Sequence, residues 1–186
     1  TMNMGRFMPG LQTIDEASDL LETFNALLNI AQAESGQLEA DSKDFNLSAL
    51  VRNMAELYEP VAEEKSMTLT SDVARGITVY GNKHLMSQAL ANLLDNAVKY
   101  TPEGGNLTLV LREAANRPEL IVADSGPGIP AADREQALDR FVRLEASRNS
   151  PGSGLGLSLV RAVAQLHCAD IELDDNLPGL KVVLRF

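Results

Sequence analysis

The chain has 186 residues, 45% of them hydrophobic, which is enough for one domain with a substantial core and excludes a disordered chain. Its net charge of −10 excludes a surface that binds nucleic acid nonspecifically, so any bound phosphate is held locally. One cysteine and two distant histidines exclude an internal disulfide and a thiolate or histidine metal cluster. Since neither a membrane-spanning apolar run nor a signal peptide occurs, we expect a cytoplasmic chain.

The N-terminal part is predicted to be irregular over residues 1–10 and helical within residues 11–40. The helix has apolar residues at the three- and four-residue spacing of one face: Ala17, Leu20, Leu21, Phe24, Leu27, Leu28 and Ala31. Because such a face must be buried, we expect it to pack on another helix, a second subunit or a segment outside this chain.

Residues 41–186 are predicted to form one α+β domain after a polar linker at 39–44. Asn46 and Ser48 are alternative N-caps for the first helix. The strands predicted at 67–70 and 77–80 form a hairpin through Arg75-Gly76. The remaining predicted helices are at residues 83–99, 131–138 and 155–166, and the remaining strands at 107–111, 119–123, 171–173 and 180–186. This mixture predicts a two-layer α/β sandwich.

The first polar segment lies on the helix predicted at residues 83–99. At roughly 100° per residue, Asn92, Asn96 and Lys99 fall within about 60° of one another, and Asp95 borders them. Amide oxygens one turn apart can coordinate a Mg²⁺ ion that also bridges phosphates, and a lysine can meet a phosphate as a point charge. The alternative is a solvated helix face, against which two helix-disfavouring asparagines in register argue.

The second segment, Asp124-Ser125-Gly126-Pro127-Gly128-Ile129-Pro130, directly follows a predicted strand. A carboxylate at a strand end can accept a hydrogen bond from the exocyclic amine of a base, and glycines allow the backbone to approach a planar ligand. The alternative is a tight turn stiffened by two prolines.

The third segment, Gly152-Ser153-Gly154-Leu155-Gly156-Leu157, opens an amphipathic helix. Glycine amides at a helix N-terminus can bind phosphate. The segment follows a polar loop rather than a strand, so it does not fit a dinucleotide-binding fingerprint. Since Lys-Ser/Thr does not follow it, it does not fit a Walker A loop either.

Together and in this order, the segments resemble the catalytic and ATP-binding domain of sensor histidine kinases, within the wider GHKL ATPase superfamily. NLLDNAVKYTP resembles the family's N box, DSGPGIP its first glycine box, DRFVR its F box and GSGLGLSLV its second glycine box. The helix within residues 11–40 resembles the second helix of the dimerisation and phosphotransfer hairpin. The resemblance implies the Bergerat fold, a mixed sheet covered by helices on one face, with a long helix before it.

The resemblance also implies a role for each segment with ATP and Mg²⁺ as cofactors. Asn92 and Asn96 would hold Mg²⁺, Lys99 would contact phosphate and Tyr100 would pack against the base. Asp124 would accept from the adenine amine, and Asp95 would assist proton removal from the acceptor imidazole. The remaining implied nucleotide contacts are Gly126, Gly128, Ile129, Gly152, Ser153, Gly154, Leu155, Gly156, Leu157 and, from a lid at about 139–153, Arg143.

The sequence departs from the family at the phosphoacceptor histidine. Neither His84 nor His167 lies in the His-acidic-x-x-Arg-Thr-Pro context of the acceptor helix, and each is predicted to be a surface or packing residue. We therefore expect a kinase that binds ATP and Mg²⁺ but does not autophosphorylate as this chain. A nucleotide-binding pseudokinase and a GHKL ATPase or serine kinase are the alternatives.

The same resemblance implies the partners and the setting. These are an acceptor hairpin from the full-length protein or a second subunit and the receiver domain of a response regulator. The resemblance also implies a homodimer through the N-terminal helix. It does not imply nucleic acid as a partner. The expected parent is an inner-membrane sensor with this part in the cytoplasm.

Overall fold

The computed structural model describes residues 42–142 and 154–186. The helices in these ranges are α1 (Leu47–Glu64), α2 (Lys83–Tyr100), α3 (Arg134–Ala137) and α4 (Gly156–Leu166), with a short 3₁₀ turn at Ala131–Asp133. The strands are β1 (Lys43–Asn46), β2 (Thr68–Val73), β3 (Thr78–Gly81), β4 (Asn106–Ala114), β5 (Arg117–Asp124), β6 (Asp170–Asp175) and β7 (Leu180–Arg185).

Five of these strands form one mixed sheet in the order β2-β4-β5-β7-β6. β2 runs parallel to β4, and each of the other neighbouring pairs is antiparallel. β1 and β3 form a separate antiparallel ribbon. The predicted α+β sandwich with a mixed sheet is therefore confirmed.

Helices cover one face of the five-stranded sheet. Alternate residues of β4, Leu107, Leu109 and Leu111, are almost fully buried on this face. α1 packs against β2 and β4, while α2 packs against β5 and α4. Burying these leucines from water contributes about 2 kcal/mol each, so this layer holds the domain together.

The opposite face of the sheet carries a row of ion pairs. The carboxylate of Glu119 on β5 accepts from Arg112 on β4 at 2.7 Å and from Arg185 on β7 at 3.0 Å. Arg185 also pairs with Glu172 on β6. Burial alone would raise the pKa of Glu119, but the two guanidinium groups outweigh it and hold that pKa below its usual range. Within residues 42–142 and 154–186, the helices thus cover one face of the sheet and the ion pairs lie on the other.

The start of α1 distinguishes the two predicted N-caps. Asn46 is the cap, since its side-chain oxygen accepts from the backbone N–H of Ala49 at 2.8 Å. The buried hydroxyl of Ser48 instead accepts from the backbone N–H of Ile77 at 2.9 Å. Ser48 therefore joins α1 to the chain that enters β3.

The predicted hairpin through Arg75-Gly76 is wrong. β2 pairs in parallel with β4 and β3 pairs with β1, so this turn joins strands of two different sheets. Turn chemistry acts locally, whereas the partners of β2 and β3 are strands distant in sequence.

β1 lies partly within the segment predicted as a polar linker. Only Phe45 of its four residues is buried, so the sequence carries little strand pattern. The strand exists because it pairs with β3, which is a long-range contact.

Three predictions lie outside the described residues: the irregular segment at 1–10, the helix within 11–40 and most of the lid at 139–153. They stay predictions, as does the domain boundary at residue 41. Within the two described ranges, no helix combines the length and the hydropathy needed to cross a membrane.

Candidate functional site

The amide side chains of Asn92 and Asn96 lie on α2 beside the first residue of α4. Asn92 Nδ2 donates to the carbonyl of Gln88 at 3.0 Å, which fixes the orientation of that amide. A Cβ built on Gly156 would lie 3.4 Å from Asn92 Oδ1 and 3.8 Å from Asn96 Oδ1. The Asn96 Nδ2 atom is nearer still, at 3.3 Å, so both amide groups lie beside the N-terminus of α4.

The place where Asn92 and Asn96 meet the N-terminus of α4 suits a hard cation that also binds phosphate oxygens. Amide oxygens are suitable ligands for Mg²⁺, which usually takes few protein ligands and fills its remaining positions with water and phosphate oxygens. Within residues 42–142 and 154–186, no group of three or more His, Cys, Asp or Glu side chains could hold a metal by itself. Asn92 and Asn96 could hold Mg²⁺ together with a bound polyphosphate.

The N-terminus of α4 is built mainly from backbone. Leu155 is its N-cap and makes no side-chain capping bond, so the N–H groups of the first turn can donate to an anion. The side chain of Leu155 is fully buried and that of Leu157 packs partly against the core. Leu155 can therefore contact a nucleotide only through its backbone, while both side chains help to anchor the helix.

The other end of α2 lies beside the loop that follows β5. Lys99 Nζ lies 4.9 Å from the centre of the Tyr100 ring. A Cβ built on Gly126 would lie 2.8 Å from the carbonyl oxygen of Tyr100, so the loop approaches the end of α2 closely. The fold thus brings Tyr100 and the Asp124 loop together.

Asp124 is buried at the end of β5 and fixes the loop around it. Its Oδ1 accepts from the backbone N–H groups of Gly126 at 2.8 Å and Leu180 at 3.3 Å. Burial raises the pKa of the Asp124 carboxyl, against the opposing effect of these two donors. Because both bonds use Oδ1, the second oxygen is the one that could accept from a ligand amine.

The rest of this loop is tied to the β6–β7 hairpin. Asn176 Nδ2 donates to the backbone carbonyl of Asp124 at 2.7 Å. Arg134 Nε donates to the carbonyl of Ile129 at 3.0 Å, and its guanidinium pairs with Asp175. Gly128 lies at φ +70°, where a side chain is disfavoured.

Sequence reasoning missed Asn176, Leu180 and Arg134. Asn176 and Leu180 support Asp124 from the β6–β7 hairpin, because β7 pairs with β5 with Lys181 opposite Ala123. Arg134, on α3, instead links the carbonyl of Ile129 in the loop to Asp175 on β6. Asn176 lies in an Asn-Leu-Pro-Gly turn, and its residue type alone indicates only a turn. No local pattern could have linked these residues to Asp124.

Asp95, on the same helix as the two asparagines, contacts α1. Its Oδ1 accepts from the hydroxyl of Tyr58 at 2.7 Å, and that hydroxyl also lies 3.3 Å from the carbonyl of Ala91. Burial and the neighbouring carboxylate raise the pKa of Tyr58, so its hydroxyl keeps its proton and donates. The catalytic role of Asp95 stays a prediction, and this contact gives it a structural role as well.

Tyr58→Phe should lower the free energy of unfolding by about 1 kcal/mol, since it removes this bond while keeping the ring. The affinity for an ATP analogue should not change, because the lost contact joins α2 to α1. Urea unfolding and nucleotide titration measure the two quantities, with Tyr80→Phe, at a tyrosine that is 64% exposed, as the control. Unchanged stability, or weaker nucleotide binding, would contradict the expectation.

Three predicted site residues, Arg143, Gly152 and Ser153, lie outside the described residues. On either side of that gap, the backbone N–H of Phe141 donates to the carbonyl of Gly154 at 3.1 Å. This bond holds the two ends of the gap together next to the N-terminus of α4.

The chain is similar to known proteins in sequence and in fold. A family model for the histidine kinase-, DNA gyrase B-, and HSP90-like ATPases matches residues 81–186. The adaptive-response sensory kinase SasA of Rippkaea orientalis is 35% identical over 150 residues, which are 80% of this chain and 38% of that protein. The chain thus spans well under half the length of that relative.

Two solved structures share the fold. The mycobacterial sensor histidine kinase MprB is 28% identical, with a TM-score of 0.65 over 77% of this chain and 96% of that one. Full-length ShkA in complex with AMPPNP is 27% identical, with a TM-score of 0.78 over 94% of this chain and 37% of that one. With the site arranged as described, the chain belongs to the histidine kinase-, DNA gyrase B- and HSP90-like ATPase family, as an ATP-binding catalytic domain of the two-component sensor kinase type.

Proposed function

We propose that this chain binds ATP together with Mg²⁺ and donates the γ-phosphoryl group to a histidine on a separate helical hairpin. The observation that carries the proposal is the meeting of the α4 N-terminus with Asn92 and Asn96. It places backbone N–H donors and amide oxygens at one point, which suits a polyphosphate and its cation.

The base and the phosphates would occupy opposite parts of the site. Asp124 accepts from the adenine amine, Tyr100 packs against the base, and Gly126, Gly128 and Ile129 line the loop beside it. Asn92 and Asn96 hold Mg²⁺, which supplies positive charge against the phosphates when bound. Backbone N–H groups at Gly154, Leu155, Gly156 and Leu157, together with Lys99, Arg143, Gly152 and Ser153, contact the phosphates.

The reaction needs positioning and charge neutralisation more than covalent help from the protein. An imidazole nitrogen of the acceptor attacks the γ-phosphorus, a nitrogen–phosphorus bond forms, and the bond to the β-phosphate oxygen breaks. ADP leaves, and the displaced imidazole proton passes to a nearby base, for which Asp95 is the predicted group. The helix N-terminus donates hydrogen bonds where negative charge collects.

The buried histidine of this chain is inaccessible to a phosphate donor, and the exposed one lies outside the acceptor motif that the family uses. His84 is exposed on α2, where its Nε2 lies 3.2 Å from the Gln88 side chain. His167 is buried and both of its ring nitrogens have backbone partners. We therefore assign the acceptor to a hairpin of the full-length protein or of a second subunit.

The wider setting follows from the same proposal. The phosphorylated histidine passes its phosphoryl group to the receiver domain of a response regulator. The helix predicted within residues 11–40 would contribute its apolar face to a homodimer. The parent protein is an inner-membrane sensor whose kinase part lies in the cytoplasm.

The test is transfer of labelled phosphate from ATP. The chain alone should acquire no acid-labile, base-stable label, whereas a separate hairpin that carries the acceptor histidine should be labelled when the chain is added. A hairpin whose histidine is replaced by alanine is the control. Label on the isolated chain would contradict the assignment of the acceptor.

The alternatives give different outcomes in the same experiment. A pseudokinase binds the nucleotide but labels no hairpin. An ATPase releases phosphate without labelling the hairpin, and a serine kinase forms an acid-stable product. Any of these results would overturn the proposed transfer to histidine.

A further inference from the structure

His167 makes two backbone hydrogen bonds at the C-terminal end of α4. Its Nε2 lies 3.1 Å from the backbone nitrogen of Asn82, and its Nδ1 lies 2.7 Å from the carbonyl oxygen of Val163. An amide N–H can only donate, so Nε2 must be the acceptor. Nδ1 therefore carries the proton and donates to Val163, and the imidazole is neutral.

The surroundings fit the imidazole closely. A Cβ built on Gly81 would lie 2.1 Å from the Cδ2 atom of His167, so only glycine lets the ring reach Asn82. The ring of Phe45 meets the imidazole edge-on, with 6.3 Å between the ring centres and 88° between the ring planes. Burial lowers the pKa of His167, which favours the neutral ring that these contacts require.

The bond to Asn82 connects two helices that carry the nucleotide site. Asn82 is the N-cap of α2, where its side-chain oxygen accepts from the backbone N–H groups of His84 and Leu85 at 3.0 and 3.1 Å. His167 is the C-cap of α4. The imidazole therefore joins the C-terminal end of α4 to the N-terminal end of α2.

The N-terminal end of α4 meets the second half of α2 at the proposed phosphate site. α4 runs from His167 back to Gly156 over about 16 Å, and α2 runs from Asn82 to Asn92 and Asn96 over about 15 to 21 Å, at 1.5 Å per residue. The two helices are packed against each other, and Gly156 lies beside both asparagines. Because the imidazole holds the C-terminal end of α4 at Asn82, it restricts sliding of α4 along α2 and so adds to the packing that positions Gly156.

We propose that His167 is a positioning residue for the nucleotide: by accepting from the Asn82 N–H, it fixes the register of α4 along α2. The register places the first-turn N–H groups of α4 at Asn92 and Asn96. The inference rests on the proposed function, since it needs phosphates to bind at this junction. It assigns a role to a buried histidine that touches no nucleotide.

Two substitutions at His167 distinguish the effect of the hydrogen bond accepted by Nε2 from the effect of losing the imidazole ring. In His167→Gln, the side-chain oxygen reaches the position of Nε2 and can still accept from Asn82. In His167→Asn, the shorter side chain reaches only the position of Nδ1, so the bond to Val163 is kept and the bond to Asn82 is lost. Phe45→Leu is the control, because it removes packing against the imidazole and leaves both hydrogen bonds.

The measurement is the Kd of an ATP analogue with Mg²⁺, at a temperature where circular dichroism shows each variant folded. His167→Asn should weaken binding about tenfold, as expected if the shift of α4 removes one hydrogen bond from its first turn to the phosphates, and His167→Gln should bind nearly as tightly as wild type. Phe45→Leu should lower the melting temperature without changing the Kd. The amide resonance of Gly156 should shift in His167→Asn and stay in place in Phe45→Leu.

Each outcome decides one question. If wild type fails to bind the analogue, the proposed function fails, whatever the variants do. If wild type binds and His167→Asn binds equally well, or if Phe45→Leu weakens binding as much, the positioning role is wrong. The ¹⁵N spectrum of wild-type His167 needs no variant, and a ring protonated on Nε2 would also overturn the inference.

Discussion

Asp124→Asn should weaken the binding of adenine nucleotides by about tenfold to a hundredfold, the range for a hydrogen bond to a buried charged group. Asn keeps the oxygen that accepts from Gly126 and Leu180, so the loop should keep its conformation. It replaces the second carboxylate oxygen by an NH₂ group, which would face the adenine amine donor to donor. A guanine nucleotide has a carbonyl oxygen where adenine has its amine. The preference of the wild type for adenine over guanine nucleotides should therefore disappear in Asp124→Asn.

The affinity for adenine should also depend on pH through Asp124. Burial raises the pKa of this carboxyl, so its neutral form accumulates at a higher pH than in an exposed aspartate. Since the ionised form is the acceptor, affinity should fall as the pH is lowered through this raised pKa.

Titrating ADP and GDP separately into wild type and Asp124→Asn across this pH range measures both the base preference and the pH dependence. Asp72→Asn, at an exposed residue of β2, is the control for losing one negative charge. Equal base preference and equal pH dependence in wild type and Asp124→Asn would contradict a base contact at Asp124.

Asn96→Ala should weaken nucleotide binding in the presence of Mg²⁺ by more than about tenfold, because the variant loses the gain in affinity that the cation provides. Its Oδ1 and that of Asn92 both approach the N-terminus of α4, and the Asn92 amide is already oriented by Gln88. Alanine also favours helix more than asparagine by about 0.5 kcal/mol, so the variant should not lose stability through its backbone. A loss of binding would then not be a loss of folding.

The elements of the site follow from local sequence patterns. Helical periodicity places α2 almost to the residue, and with it the register of Asn92, Asn96 and Lys99 on one side. The strand before Asp124 and the glycines after it predict a loop at the end of β5, where the structure has it. These features depend on residues close together in the chain, so the sequence alone suffices for them.

The contacts that support the site depend on the fold instead. Asn176 reaches Asp124 because β7 lies beside β5, and His167 reaches Asn82 across 85 positions of sequence. The hairpin predicted between β2 and β3 is wrong for the same reason. The turn residues carry no information about the actual pairing of β2 with β4 and of β3 with β1. The hydrogen bond between Asp95 and Tyr58 likewise depends on the packing of α1 against α2, which the sequence pattern does not predict.

The most direct test of the account is a titration of a nonhydrolysable ATP analogue into wild type and Asn96→Ala, with and without Mg²⁺. Asn53→Ala, at an exposed asparagine of α1, is the matched control. We expect wild type and Asn53→Ala to bind more tightly with Mg²⁺, and Asn96→Ala to bind weakly and independently of the cation. Equal, Mg²⁺-dependent affinity in wild type and Asn96→Ala would contradict the assignment of the nucleotide site.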